Sequence, residues 1–162
     1  MGFEELYQNH KQMVYRYIFF LTGNNSLAEE LTQETFYQVY LSQKSYQSRC
    51  ALSTWILAIA RRVCLNYFRK RNMCHMEKPD WEDVPAGEKY LPEVALDNKE
   101  LREKIVNVLQ ELPETYRSII IWREMEGRSF EEIATIMDKS PSTIRVILFR
   151  AKKRFKALYA KE

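Results

Sequence analysis

Apolar side chains recur at spacings of three and four from the start of the chain. Phe3, Leu6, Tyr7, His10, Met13, Val14, Tyr17, Ile18 and Leu21 fall on one stripe and predict a first helix. His10 lies within that stripe and reads as a packed histidine at the core edge. Thr22-Gly23-Asn24-Asn25 predicts a turn, and Ser26 with Glu29 has the spacing of a capping box that opens a second helix running to about Leu41. Its buried side is expected from Leu27, Leu31, Phe36, Val39 and Tyr40. After the polar residues 42–49, a third helix starts near Ser53, turns Trp55, Ile56, Ile59, Ala60, Val63 and Tyr67 inward, and ends in Arg69-Lys70-Arg71. Across residues 72–96 the periodicity disappears, while Pro79, Pro85, Pro92 and Gly87 forbid a continuous helix, so a linker is expected.

The helical pattern resumes with Leu101, Ile105, Val108, Leu109 and Leu112, stops at Pro113, and restarts through Tyr116, Ile119, Ile120 and Trp122. Glu126-Gly127-Arg128 makes the next break. A short helix over residues 130–137, with Ile133, Ala134 and Met137 on one side, is followed by Asp138-Lys139-Ser140 and a helix over residues 142–158. This is helix-turn-helix spacing. Asp138 stands where such turns usually have Gly, and Asp accepts left-handed backbone better than most residues. The expected fold is all-α: two small helical domains, residues 1–71 and 97–162, joined by a flexible linker over 72–96, with the helix-turn-helix in the second.

Composition narrows the classes. The 162 residues are 46% hydrophobic and 29% charged, enough to bury a core, and only 4 Gly and 5 Pro argue against a turn-rich β-sandwich. Residues 1–71 carry 9 Lys/Arg and 5 Asp/Glu, residues 72–96 carry 2 and 6, and residues 97–162 carry 14 and 11, so two basic blocks flank an acidic connector. The start lacks the order of a signal peptide, and Arg16 and Asn24 interrupt its apolar stretch. A cytoplasmic protein without membrane insertion is expected. Cys50, Cys64 and Cys74 are odd in number and read as plain thiols. Cys74 beside His75 has no second Cys/His cluster to complete a metal site, no Gly-rich phosphate loop is present, and neither His10 nor His75 has a recognisable acid–base partner. No metal, no cofactor and no catalytic residue are expected, and the chain is not read as an enzyme.

The basic blocks suggest nucleic acid. A helix of about 17 residues spans roughly 25 Å, enough to lie along a major groove while its other side packs. Ile144, Ile147, Leu148, Ala151, Phe155 and Leu158 form the packed side, which leaves Arg145, Phe149, Lys152, Lys153 and Lys156 outward. Ser142, Thr143, Arg145 and Val146 at the helix start would reach base edges, and Arg150 with the later lysines would hold phosphates. The competing reading is a solvated helix end whose cations suit the helix dipole. The third helix repeats the theme with Arg61, Arg62, Arg69, Lys70 and Arg71. Trp55 and Tyr67 are assigned to packing, and Tyr46 in the preceding loop is the better candidate for stacking an unpaired base. On the second helix, Glu30, Gln33 and Glu34 at i, i+3 and i+4 form one acidic-polar face, read either as solvated surface or as a protein-docking surface.

These segments, in this order, resemble the extracytoplasmic-function (ECF) group of bacterial RNA polymerase sigma factors. Ala28-Glu29-Glu30-Leu31-Thr32-Gln33-Glu34-Thr35-Phe36 looks like the family segment that binds the polymerase β′ coiled coil, with Glu30 replacing the usual Asp. Ser53-Thr54-Trp55-Ile56 through Tyr67-Phe68-Arg69-Lys70-Arg71 is similar to the helix that engages the minus-10 promoter element. Leu112-Pro113, Tyr116-Arg117, Phe130-Glu131-Glu132-Ile133-Ala134, Thr143-Ile144-Arg145 and Arg150-Ala151-Lys152 look like region 4, which reads the minus-35 element. The resemblance implies core-polymerase contacts at Glu30, Gln33 and Glu34, and minus-10 contacts at Tyr46, Arg61, Arg62, Asn66, Arg69 and Lys70. It implies minus-35 contacts at Ser142, Thr143, Arg145, Val146, Phe149, Arg150, Lys152 and Lys153.

The implied partners are core RNA polymerase through its β′ coiled coil and β flap, promoter DNA, and an anti-sigma protein clasped between the two domains, with no obligate homo-oligomer. The loop over residues 44–52 would capture an unstacked minus-10 base, and the acidic linker would thread past the polymerase active site. A free-standing helix-turn-helix repressor or activator, and an RNA-binding or nuclease-like enzyme, remain as alternative readings of the residues themselves.

Overall fold

The computed structural model describes residues 2–71 and 98–161, all of whose regular structure is helical. The expected linker, with its prolines and acidic residues and with Cys74 and His75, lies outside the described residues. The helices are α1 (Phe3–Thr22), α2 (Asn25–Ser42), α3 (Leu52–Lys70), α4 (Lys99–Gln110), α5 (Glu114–Ile120), α6 (Phe130–Met137) and α7 (Pro141–Lys161). A single 3₁₀ turn, Gln43–Ser45, follows α2, and a π-helical turn, Ile121–Met125, continues α5.

Local chemistry explains the boundaries. Gly23 ends α1 in the left-handed region at φ 71°, where its N–H donates to the Phe19 carbonyl. The second helix begins two residues earlier than the expected Ser26–Glu29 box implies. Its cap is Asn24, whose side-chain oxygen accepts the Leu27 N–H at 2.9 Å. A capping box does occur at Ser129 and Glu132, where each side chain takes the other's backbone N–H and opens α6. Asp138 ends α6 at φ 55°, the left-handed conformation expected of the turn. His10 is half-buried, with Nδ1 2.8 Å from the Leu6 carbonyl oxygen, in keeping with a packed position at the core edge.

The three N-terminal helices form one bundle and α4–α7 another, but the described residues of both share one apolar core. The reason lies in α1. Val14, Tyr15, Tyr17, Ile18, Phe19, Phe20 and Leu21 are all buried, so this helix is apolar on every side and needs neighbours all round. It packs against α2 and α3 on one flank and against α4, α5 and the π turn on the other. At the joint, Tyr17 stacks on Trp122 with centroids 5.0 Å apart, and its hydroxyl lies 2.8 Å from the Ser118 hydroxyl. Polar links surround this pair. Arg61 holds Glu114 through two N–H···O bonds of 2.9 and 3.1 Å, Arg16 meets Glu126 at 2.8 Å, and Gln110 donates to the carbonyls of Phe20 and Leu21.

Trp122 is fully buried and fills the centre of this joint. Trp122→Ala should therefore cost about 3–5 kcal/mol of stability, the range for emptying a large aromatic site. Urea unfolding followed by helical circular dichroism checks it, and a loss under about 1 kcal/mol would mean that the joint is not packed as described.

Candidate nucleic-acid interface

The outer face of α7 matches the sequence expectation at most positions. Ser142, Thr143, Arg145, Val146, Phe149, Arg150 and Lys153 are all exposed, while Ile144, Leu148 and Ala151 are buried against the rest of the bundle. Phe149 is 71% exposed, so it does not serve the core. The helix start is ordered by Ser140, whose hydroxyl oxygen accepts the Thr143 N–H at 3.1 Å and lies 2.8 Å from the Thr143 hydroxyl.

Lys152 departs from this pattern. Its ammonium sits 3.0 Å from a Glu124 carboxylate oxygen, and its side chain is half-buried. It turns from the outer face toward a groove of 250 Å³ lined by Ile105, Leu109, Ile120, Met125 and Phe155, with Lys156 also on its rim. The groove was not anticipated, because its wall comes from three segments whose apolar residues each look like ordinary core positions.

On α3, Arg62, Asn66, Arg69 and Lys70 are exposed, and Arg69 donates to the Asn66 side-chain oxygen. Arg61 is not on that surface. Its bidentate bond to Glu114 places it in the joint between the bundles. Tyr46 is half-buried, its ring 5.1 Å from that of Trp55 and its hydroxyl donating to the Cys50 carbonyl. The loop around it contains Ser48 at φ 57°, a left-handed conformation that is rare for a residue with a Cβ.

Glu30, Gln33 and Glu34 are exposed on α2, and the stripe runs on through exposed Tyr37 and Leu41. Glu30, Gln33, Glu34 and Tyr37 form one wall of a 760 Å³ groove whose other wall is Arg62, Asn66, Tyr67 and Lys70 of α3. The acidic and basic candidate faces, separate in the sequence, thus border one groove.

Burial sets the electrostatics of the joint. It pushes the Tyr17 phenol well above its usual pKa and the Cys64 thiol upward, so both stay neutral. Burial pulls the Arg117 guanidinium down, against the nearby charge of Glu114. For Arg61 burial pulls the same way, but the hydrogen bond and charge of Glu114 outweigh it and the net shift is upward. At the edge of the joint, Glu132 accepts from Thr54 at 3.1 Å and from Arg128 at 3.3 Å, and Arg128 also donates to Ser53 at 2.8 Å. Partial burial pushes the Glu132 carboxyl up, yet its bonds from the Ser129 backbone, Thr54 and Arg128 prevail and hold it below the ordinary 4.5. Among the described residues, no group of three His, Cys, Asp or Glu side chains could hold a metal, and no helix is long and apolar enough to cross a membrane.

Comparison with known proteins gives a consistent picture. The family model for Sigma-70 region 2 matches residues 6–73, and that for Sigma-70 region 4 matches residues 102–155. The ECF RNA polymerase sigma factor SigM of Bacillus subtilis is 30% identical over 161 residues, covering 98% of this chain and 96% of the relative. SigE of Mycolicibacterium smegmatis is 32% identical over 162 residues, covering 99% of this chain and 62% of that relative. Among solved structures, the sigma factor RpoE in complex with the anti-sigma factor NepR from Bartonella quintana superposes with a TM-score of 0.77 at 20% identity, covering 96% of this chain and 95% of that one. CnrH in complex with the cytosolic domain of CnrY gives 0.73 at 15%, covering 99% and 88%. At those identities the two structures bear on the fold alone.

The depressed Glu132 carboxyl yields a signed prediction. A carboxyl held below its unfolded value adds stability that is present above that value and is lost as pH falls through the folded one. Glu132→Gln should therefore be less stable than the wild type near neutrality, with the gap closing below the ordinary carboxylate value of 4.5. The effect is small because the group is largely solvated. Denaturation midpoints collected from about pH 3 to pH 7 test it, and a gap that widens in acid would contradict it.

Proposed function

Because the chain belongs to the ECF group of RNA polymerase sigma factors, we propose that it binds core polymerase, recognises minus-10 and minus-35 promoter elements, and promotes DNA opening at transcription starts. Sigma factors are initiation factors, and on this reading the bond-making chemistry belongs to the polymerase. Its place of action is the cytoplasm, where polymerase and promoter DNA meet.

The observation that carries the assignment of sites is the distribution of exposed chemistry: a row on α7 in one bundle, and an acidic wall and a basic wall that border one groove in the other. α7 offers an uncrowded row from Ser142 to Lys153 that suits a major groove, its first turn to bases and Arg150 and Lys153 to phosphates. Arg62, Asn66, Arg69 and Lys70 of α3 offer a second basic surface, assigned to the minus-10 element together with Tyr46 and Arg61. The carboxylates of Glu30 and Glu34 would repel nucleic acid, so with Gln33 they are assigned to the β′ coiled coil. The apolar groove bordered by Lys152 is assigned to the β flap. Lys152 then serves the flap through Glu124 more readily than it serves DNA.

Two of these assignments need movement. Arg61 meets DNA only after releasing Glu114, and the Tyr46 ring stacks a base only by giving up Trp55 or offering its other face. The bundles therefore part when the chain engages a promoter on polymerase. An anti-sigma protein that gripped both bundles would oppose that parting; the similar RpoE of Bartonella quintana was solved in complex with the anti-sigma factor NepR.

The docking surface supplies the test that separates this reading from a free-standing DNA-binding regulator. Gln33→Ala combined with Glu34→Ala should weaken capture by core polymerase by about tenfold or more, as expected when two contacts worth together about 1.4 kcal/mol or more are removed. The fold should be unaffected, because both side chains are exposed. Undiminished capture in a quantitative pull-down would refute the α2 assignment.

A further inference from the structure

Two cations share one aromatic ring at the entrance to the helix-turn-helix. The guanidinium carbon of Arg123 lies 4.2 Å, and that of Arg145 4.7 Å, from the centre of the Phe130 ring. Both distances fall inside the roughly 6 Å range of cation–π attraction. Three elements converge here: Phe130 is the first residue of α6, Arg145 lies one turn into α7, and Arg123 belongs to the π turn. Phe130 is half-buried and packs against the core, which fixes its ring, while Arg145 is exposed. Arg123 is tied down further by donating to the Arg128 carbonyl at 3.0 Å.

What holds Arg145 differs from what holds Lys152 on the same helix. Lys152 is neutralised by Glu124, whereas among the described residues no carboxylate pairs with Arg145. A ring that meets the flat face of a guanidinium leaves the N–H groups in its plane unoccupied. Those N–H groups are the edge that meets the two acceptors of a guanine in the major groove. A carboxylate partner would have consumed that edge. The ring therefore restrains a long, flexible side chain without occupying its N–H donors or neutralising its charge.

We propose that Phe130 is a positioning residue for sequence readout: its ring fixes the plane of the Arg145 guanidinium so that the N–H edge is presented to a guanine of the upstream promoter element. This rests on the reading of α7 as the DNA-reading helix, and the experiment distinguishes the two. Holoenzyme reconstituted from core polymerase and the full chain selects from duplex promoters randomised at the upstream element, and the bound fraction is sequenced. Arg145→Ala should abolish the preference at one base pair, and that pair should contain guanine. Phe130→Leu should reduce discrimination at that same pair by about three- to tenfold, the scale of a lost cation–π restraint, and leave the other positions within about twofold. Phe130→Tyr, which keeps the ring, should retain the wild-type preference.

Thermal unfolding of each variant reports any purely structural loss, which would lower stability without moving one base preference. If Phe130→Leu keeps full discrimination at the Arg145 position, or lowers binding evenly at all positions, the positioning role is overturned while α7 remains the reader. If Arg145→Ala and Phe149→Ala both leave the selected sequences unchanged, the DNA-reading assignment of α7 fails and the proposal falls with it.

Discussion

Tyr17 has its hydroxyl in a place that water does not reach, and a buried hydroxyl without a partner costs more than most single contacts return. Ser118, 101 residues further along the chain, supplies that partner, and Trp122 supplies the face on which the ring rests. The arrangement of the two bundles follows from this requirement. Around the apolar centre the joint is polar: Arg61 with Glu114, Arg16 with Glu126, and Gln110 with two carbonyls of α1. Charged groups of this kind regain water when parted, so such a joint resembles a separable interface more than a domain core. Tyr17 and Trp122 oppose separation; the two ion pairs and the Gln110 bonds, which water can replace, ease it.

That balance bears on how the surfaces are used. The outer face of α7 is exposed while the bundles are closed, and so is the acidic face of α2. Arg61 alone among the candidate DNA contacts is held inside the joint. On the proposed reading, the chain meets polymerase and the upstream element with surfaces already presented, and completes its minus-10 surface only on opening. The apolar groove beside the π turn stands next to the same joint, since Ile120, Glu124 and Met125 line the groove while the intervening Trp122 faces Tyr17. π turns are often found at functional positions, and this one places adjacent side chains on two surfaces.

Much of this was legible in the chain itself. The apolar spacing located α1, α3 and α6 to within a residue or so, and Asp138 took the left-handed turn that its side chain tolerates. Three features were not legible, each for a physical reason. Ser26–Glu29 has the spacing of a box, but the Asn24 side-chain oxygen takes the Leu27 N–H and starts the helix two residues earlier. Tyr46 and Trp55 are far enough apart in sequence that spacing says nothing of their contact, so a loop tyrosine with a packed ring looked free. Periodicity identified Tyr17 and Trp122 as inward-facing but does not name what an inward face meets. One signal did point to the closed joint: from Met13 to Leu21 every residue but Arg16 is apolar, and a helix covered only by α2 and α3 would have left one side of that run in water.

On the proposed function, this polypeptide gives core polymerase its choice of start sites. Sigma-free core polymerase is incubated with a random promoter library with and without the purified chain, and transcript 5′ ends are sequenced. New, sharply placed starts that share two upstream elements and appear only with the chain are expected. Identical starts in both reactions, together with tight binding of the chain alone to a duplex operator, would contradict that function.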